Sequence, residues 1–330
     1  MAKTNTNIAS WKAIYEPMLG ALLINNKAFL MFGKQKTVNS KGTNGVVKFK
    51  YYSRLAAQTS ALTEGTTPAA LTMTASSASV TPSQLGGRVT ITDLELEDNV
   101  NDEMEAAVEL MGDCASRTMN IIVRNVLNAS TNVYRANNVA ADANIITAMS
   151  ADDIRTIVSK LQADNVEEVT EFVKGSPNND TTPLDASFIA IGHPHVAKDF
   201  KGLTGYIAPA NYASGAKTKI KGEQGAFDIV RFIQDSECFI DADAGGTAVT
   251  NGLIYTTANT ACDVYYTYFI GRDAYGKIHL NKDAYELISK GLGEGEDSLN
   301  QTASVGFKVR FGAIIVRSER VLIFRSGATA

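Results

Sequence analysis

Residues Gly87–Leu127 read GRVTITDLELEDNVNDEMEAAVELMGDCASRTMNIIVRNVL, a strand pattern that runs into a long acidic helix pattern. The alternation of Val89 and Ile91 with threonines predicts a strand, which Asp93 turns into a helix. From Val100 the apolar side chains fall at Met104, Ala107, Met111, Cys114, Thr118 and Ile121, with Val108, Ala115, Ile122 and Val126 beside them. That three-four spacing predicts one amphipathic helix over about residues 98–127 with a buried stripe that includes Cys114. At about 1.5 Å per residue it is a rod of roughly 45 Å. Nine carboxylates lie between Asp93 and Asp113, and no lysine or arginine lies between Arg88 and Arg117. Acids in the first turns suit the positive end of the helix dipole. Nine exceed what capping needs, so this surface is expected to meet something basic.

Upstream the charge reverses. Lys34, Lys36, Lys41, Lys48, Lys50 and Arg54 fall in a segment free of acids up to Thr63. Within it GTNGVVKFKYYSRLA alternates Val47, Phe49 and Tyr51 against Lys48, Lys50 and Tyr52, a strand with one polar face. A Thr/Ser/Ala-rich tract follows, and a second strand is predicted from Ser79 to Ile91. Two extended segments around a long small-residue tip predict a protruding β-hairpin. A run of cations is usually a solvated face; here it shares a chain with the acidic helix, and the two are expected to be complementary between copies.

The flanks are more ordinary. Ile8, Trp11, Tyr15, Met18 and Leu22 lie at helical spacing, interrupted by Pro17, either docked on the chain's own core or packed on a neighbour. Ser150 before ADDIRTIVSKL, with Asp153 three residues on, predicts a capped helix. LDASFIAIG is a compact apolar strand, and Pro194 opens a short helix. Beyond Gly205 come loops and short strands (DIVRFIQ, GLIYTTA, VYYTYFI), then two alternating strands near the end, carrying Phe307, Val309 and Phe311, and Val321 and Ile323.

Bulk properties set limits. A chain of 330 residues with net charge −4, 45% hydrophobic and 20% charged, is expected to be a soluble globular protein with two or more units. It lacks the clustered positive charge of a phosphate-directed nucleic-acid binder. Three scattered cysteines and no CxxC spacing argue against a disulfide framework or a structural zinc site and point to a reducing compartment. The apolar run Met18–Ile24 is too short for a membrane span and lacks a cleavage signature. No membrane association is expected.

Candidate chemistry is thin. His193 and His195, with Asp199 four residues on, invite a metal, but zinc wants three or four convergent ligands and the third histidine is His279. Pro194 between the two fits a strand-to-helix turn, so structural use is expected. SGAKT around Lys217 lacks the glycines of a phosphate loop, and GLGEG at Gly291–Gly295 lacks a strand-glycine-helix context. No nucleophile elbow, HExxH pair or Cys–His signature is present. Neither an enzyme nor a cofactor is expected.

Six stretches, taken in order, carry a resemblance. They are LTEGTTP (Leu62–Pro68), QLGGRVTITDLELED (Gln84–Asp98), IGHPHVAKDFK (Ile191–Lys201), KGEQGAFDIVRFIQDS (Lys221–Ser236), YFIGRDAYG (Tyr268–Gly276) and LNQTASVGFKVRFGAIIV (Leu299–Val316). In this order the chain resembles the major capsid (coat) proteins of tailed bacteriophages, with the α+β Hong Kong 97-type fold. The resemblance implies an N-terminal arm (1–40), an E-loop hairpin (41–92), and a peripheral P-domain with a spine helix (93–205). It further implies an axial A-domain (206–302) and C-terminal strands returning to the P-domain (303–330). Many relatives carry a charged scaffolding segment ahead of the arm. The arm here lies almost at the start, which implies a separate scaffolding protein or a processed form.

The implied function is self-assembly into homo-pentamers and homo-hexamers that form an icosahedral head around the genome. The implied setting is the virion, assembled in the host cytoplasm. An encapsulin-like cellular shell of the same fold is the alternative. Implied partners are further copies of the chain, a portal, a decoration protein, and packaged double-stranded DNA touched non-specifically. No lysine–asparagine crosslink can be aligned. The candidate contact residues are Lys34, Lys36, Lys41, Lys48, Lys50 and Arg54 on the hairpin side. Asp93, Glu95, Glu97, Asp98, Asp102, Glu103 and Glu105 face them from the helix side. Gly215, Gly222 and Gly225 in the loop-rich middle are expected to allow different loop shapes at fivefold and sixfold axes.

Overall fold

The computed structural model describes residues 27–38, 45–98, 103–170, 185–212, 219–247, 252–254, 261–280, 285–292 and 299–330. The predicted N-terminal helix (Ile8–Leu22), Lys41, Asp102 and Gly215 lie outside these residues. The turn at Asp93 stands where the sequence puts it. A strand, β4 (Ser83–Thr92), ends there, and a short helix, Asp93–Asp98, begins. The Asp93 carboxylate accepts from the Leu94 amide at 2.9 Å, and the Thr92 hydroxyl from the Glu95 amide at 3.3 Å, so side chains satisfy the orphan amides of a first turn. A separate long helix then runs Glu103–Asn128.

The buried row of that helix differs from the predicted one. Ala107, Met111, Ala115, Met119, Val123 and Leu127 are buried along a strict i, i+4 line, while Cys114 is exposed. A 3-4-3-4 row keeps a 3.5-residue period and drifts around a 3.6-residue helix by about 20° per heptad. An i+4 row is inclined to the axis by about 26° the other way. The helix therefore crosses the strands beneath it obliquely, and the predicted row slides off the contact by Cys114, leaving Thr118 and Ile121 half-buried.

Two sheets lie under and beside this helix. The first is built on β13 (Thr302–Ile315). One edge of β13 pairs antiparallel with β4, from Thr302↔Thr92 to Phe311↔Ser83. Its other edge pairs with β12 (Tyr285–Lys290) and then β11 (Tyr275–Leu280), and β1 (Lys34–Val38) adds in parallel to β11. Ala303, Val305, Phe307, Val309 and Phe311 alternate inward along β13, the period-2 pattern of a sheet with one covered face.

The second sheet orders β5 (Val133–Arg135), β14 (Val321–Ser326), β10 (Val264–Ile270), β6 (Phe188–Gly192), β8 (Val230–Gln234) and β7 (Glu223–Phe227), with β9 (Ile240–Asp241) beside β10. All of β6 and β10 is buried, as expected of strands covered on both faces. The helix Ala151–Ala163 carries the predicted cap: Ser150 accepts from the Asp153 amide, and Asp153 reaches back to the Ser150 amide, a capping box. The helix Pro194–Lys201 has Pro194 in its first turn. The boundary expected at 205/206 falls inside this sheet, between the paired strands β6 and β8.

The hairpin is also differently built. β2 (Val47–Tyr52) pairs with β3 (Ala75–Val80), and β4 is a distinct strand of the β13 sheet. Pro82 separates them. Lacking an N–H, proline cannot continue a ladder, so one predicted strand (Ser79–Ile91) becomes two.

The entering chain is pinned at the junction. Asp235 accepts from the Ala28 amide at 3.0 Å, from Asn120 Nδ2 of the long helix at 2.9 Å and from the Glu237 amide at 2.9 Å. Phe29 is buried edge-on against Tyr268, with ring centroids 5.1 Å apart. Its carbonyl accepts from the Tyr275 hydroxyl at 2.7 Å, and that of Leu30 accepts from Lys277 Nζ. Burial lowers the Lys277 pKa.

Candidate subunit interface

The root of the hairpin rests on a small apolar cluster of its own. Val47 and Phe49 pack with Ile278 of β11 and Val316, flanked by Tyr51, Val80 and Ile314. The fit is close at Gly276, where an added Cβ would lie 2.5 Å from the Phe49 ring. With Val47 and Phe49 turned inward, the alternation sends Lys48 and Lys50 outward, as the sequence predicts.

Folding back over the sheet opens a cleft of about 500 Å³ at this root. Lys34 and Lys36 from β1, Lys48 and Lys50 from β2, and Arg317 and Arg320 from the β13–β14 turn line it, against Glu167 and Asp273 as the only acids among the described lining residues. Each acid is engaged: Lys34 Nζ lies 3.5 Å from Asp273, and Arg320 3.6 Å from Glu167. Lys36 donates to the Lys48 carbonyl at 2.7 Å and sits 5.1 Å from the centre of the Phe49 ring. Arg317 donates to the Tyr52 carbonyl at 3.1 Å and stacks on Tyr51 at 5.2 Å. Six cations against two carboxylates leave a concentrated positive field, and neighbouring walls of low dielectric focus it.

Four of the predicted cations thus converge. Arg54 does not; it donates to Asn165 Oδ1 at 2.8 Å. Arg317 and Arg320 escape sequence reading because 263 positions (317 − 54) separate Arg54 from Arg317. Only the topology that sets β2 beside the end of β13 brings them together.

On the acidic side, Glu95 and Glu97 are exposed and form no ion pair among the described residues. Leu94 beside them is 68% exposed. Glu103 and Glu105 open the long helix. Asp113 is engaged within the chain, 3.6 Å from Lys27 Nζ. The Asp98 side chain lies outside the described set.

The remaining candidates are structural. His193 caps the helix it precedes, its Nδ1 accepting from the His195 amide at 3.2 Å. His195 Nδ1 lies 2.9 Å from the Tyr265 hydroxyl. Burial, then the charge of His195, lower the His193 pKa to about 4. Asp199 is occupied by the amide and hydroxyl of Thr329. Among the described residues no group of three or more His, Cys, Asp or Glu is placed to hold a metal ion. No helix among them is long and apolar enough to cross a membrane.

No family model and no curated protein sequence matches the chain. Solved structures do. The capsid of Ralstonia phage GP4 superposes with a TM-score of 0.67 at 14% identity, over 90% of this chain and 87% of that one. The cyanophage Pam1 capsid gives 0.62 at 12% identity, over 91% and 89%. The SrpI encapsulin of Synechococcus elongatus gives 0.53 at 9% identity, over 91% and 87%. At such identities the likeness speaks to architecture, and it spans nine-tenths of the chain: the fold is the α+β Hong Kong 97-type fold of these shell proteins.

Proposed function

We propose that this chain is the major capsid protein of a tailed bacteriophage, a structural subunit with no catalytic role. Copies would assemble into pentamers and hexamers that close an icosahedral head around double-stranded DNA. The observation that carries the reading is the likeness to phage capsid subunits over nine-tenths of both chains. The built form supports it. The hairpin reaches past its paired strands into residues 53–74, all of them exposed, and such long structureless loops are usually functional. A repeating shell needs extended contacts that are individually weak and can be corrected. The expected N-arm, E-loop, P-domain and A-domain belong to this proposal. So do the portal, the separate scaffolding and decoration proteins, and an acidic inner wall that DNA touches without adhering.

Within it, the basic segment Lys34–Arg54, which includes β1 and the first hairpin strand β2, meets the acidic stretch Asp93–Asp113 of a neighbouring copy. Opposite fields set register and encounter more than affinity. Negative-stain microscopy of the purified chain, with and without co-expressed partners, is the test. Closed particles or rings of five and six are expected; a protein that stays monomeric under all these conditions overturns the reading. The encapsulin likeness favours a second reading, a cellular shell around a protein cargo. Particles that contain a protein and exclude DNA would select it.

A further inference from the structure

We infer that the cleft at the hairpin root is a socket for the short acidic helix Asp93–Asp98 of a second copy. The inference rests on the shell reading and makes its contact specific. Three observations converge.

The first is charge. The cleft gathers six cations against two acids that are already engaged. Glu95 and Glu97 are exposed acids with no cationic partner among the described residues. The second is shape and polarity. Six residues of helix span about 9 Å, and a cleft of about 500 Å³ is of the size that receives compact ligands, roughly 300–1,000 Å³. The 26-residue long helix is too long to enter it. Tyr51 and Tyr52 among the lining, the latter half-exposed, offer apolar walls to Leu94, which its own chain leaves 68% exposed.

The third is placement. Helix Asp93–Asp98 follows Thr92, which pairs with Thr302 at the start of β13. The cleft sits beyond Ile315 at the other end, with Val316, Arg317 and Arg320. Fourteen extended residues at about 3.3 Å each separate them by roughly 45 Å, so the two patches cannot meet within one chain. Complementary patches at opposite ends of one rigid strand make a head-to-tail contact. Such a contact repeats, and it closes into a ring when the rotation permits.

Two experiments test this on the full chain. In a Cys114→Ser background, Tyr52→Cys and Leu94→Cys should form a disulfide between copies on mild oxidation. The expected result is a ladder of covalent oligomers on a denaturing gel, ending at five and six chains. Shells that form without any crosslink overturn the inference and leave the shell reading intact. Second, Lys48→Glu with Arg317→Glu should lower particle yield at least tenfold, and adding Glu95→Lys with Glu97→Lys should restore it. Unimpaired yield from the first pair, or failure of the second pair to rescue, overturns the inference even if the cysteine variants misfold. A wild-type chain that forms neither rings nor particles would instead remove the shell reading itself.

Discussion

Every residue of β6 and β10 is buried, whereas every residue from Tyr52 to Ala75 is exposed. The seven-stranded sheet is self-sufficient. Its central strands β6 and β10 are buried throughout, and a buried ion pair is held inside it. Glu223, fully buried, accepts from Arg231 Nε at 2.9 Å, the Tyr212 hydroxyl at 2.7 Å and the Ile220 amide at 2.8 Å. The hairpin spends only its root on the chain. Beyond Tyr52, Leu55, Leu62, Leu71 and Met73 stand in water, the arrangement expected where a second molecule supplies the cover. The contrast separates residues whose partners are in the chain from residues that the chain leaves uncovered.

The largest effect should come from breaking the self-sufficient half. Arg231→Met strands the Glu223 carboxylate in the core. Removing one partner of a buried pair costs about 3–5 kcal/mol, so the denaturant midpoint should fall steeply. An unchanged midpoint would show that the sheet does not depend on this node. Phe49→Ala should cost about 3 kcal/mol of local stability. Amide exchange should accelerate in β2 and β3 while β6 and β10 keep their protection. Equal acceleration in all four strands would show that the hairpin and the sheet open together.

A smaller, pH-dependent effect belongs to His193. The folded chain holds its pKa at about 4, against about 6.5 when unfolded. Between those values the unfolded chain binds the proton first, so acidification lowers stability progressively from about pH 6.5 to about pH 4. The protonated ring also loses the lone pair that caps its helix. His193→Asn keeps a good cap and should flatten this part of a melting-temperature–pH curve; a curve as steep as wild type would refute the assignment. Smallest for the monomer are Leu62→Ser and Leu71→Ser, expected within about 0.5 kcal/mol. Particle yield should nevertheless fall, and a normal yield would show that the exposed end of the hairpin needs no cover.

Much of the architecture is legible in the residues. Alternation marks β2 and β13, Asp93 marks the strand-to-helix turn, and Ser150 with Asp153 marks a capped helix. These signals are local, and local physics decides them. What escapes depends on partners distant in sequence. Cys114 is misplaced because the angle at which the long helix crosses its sheet comes from the sheet, not from the helix. The split at Pro82 is visible in principle, since proline removes a ladder donor, but a tract of Ser, Thr and Ala gives no strong period to contradict. The candidate interface is half legible. Its lysines stand together in sequence, while Arg317 and Arg320 join them only through the β13–β14 turn.

The seat of the hairpin has a mechanical meaning. The Phe49 ring lies where a Cβ on Gly276 would stand, within the small cluster of Val47, Ile278 and Val316 that seats the hairpin on the body. The hairpin is therefore a lever whose fulcrum is this small cluster. Its paired strands extend roughly 20 Å at about 3.3 Å per residue, and residues 53–74 lengthen the arm further. A small slide of the ring is magnified at the far end, while β6, β10 and the Asp235 node stay as they are. A surface whose curvature varies from place to place can then be tiled by one sequence, the differences in angle being taken up at the fulcrum.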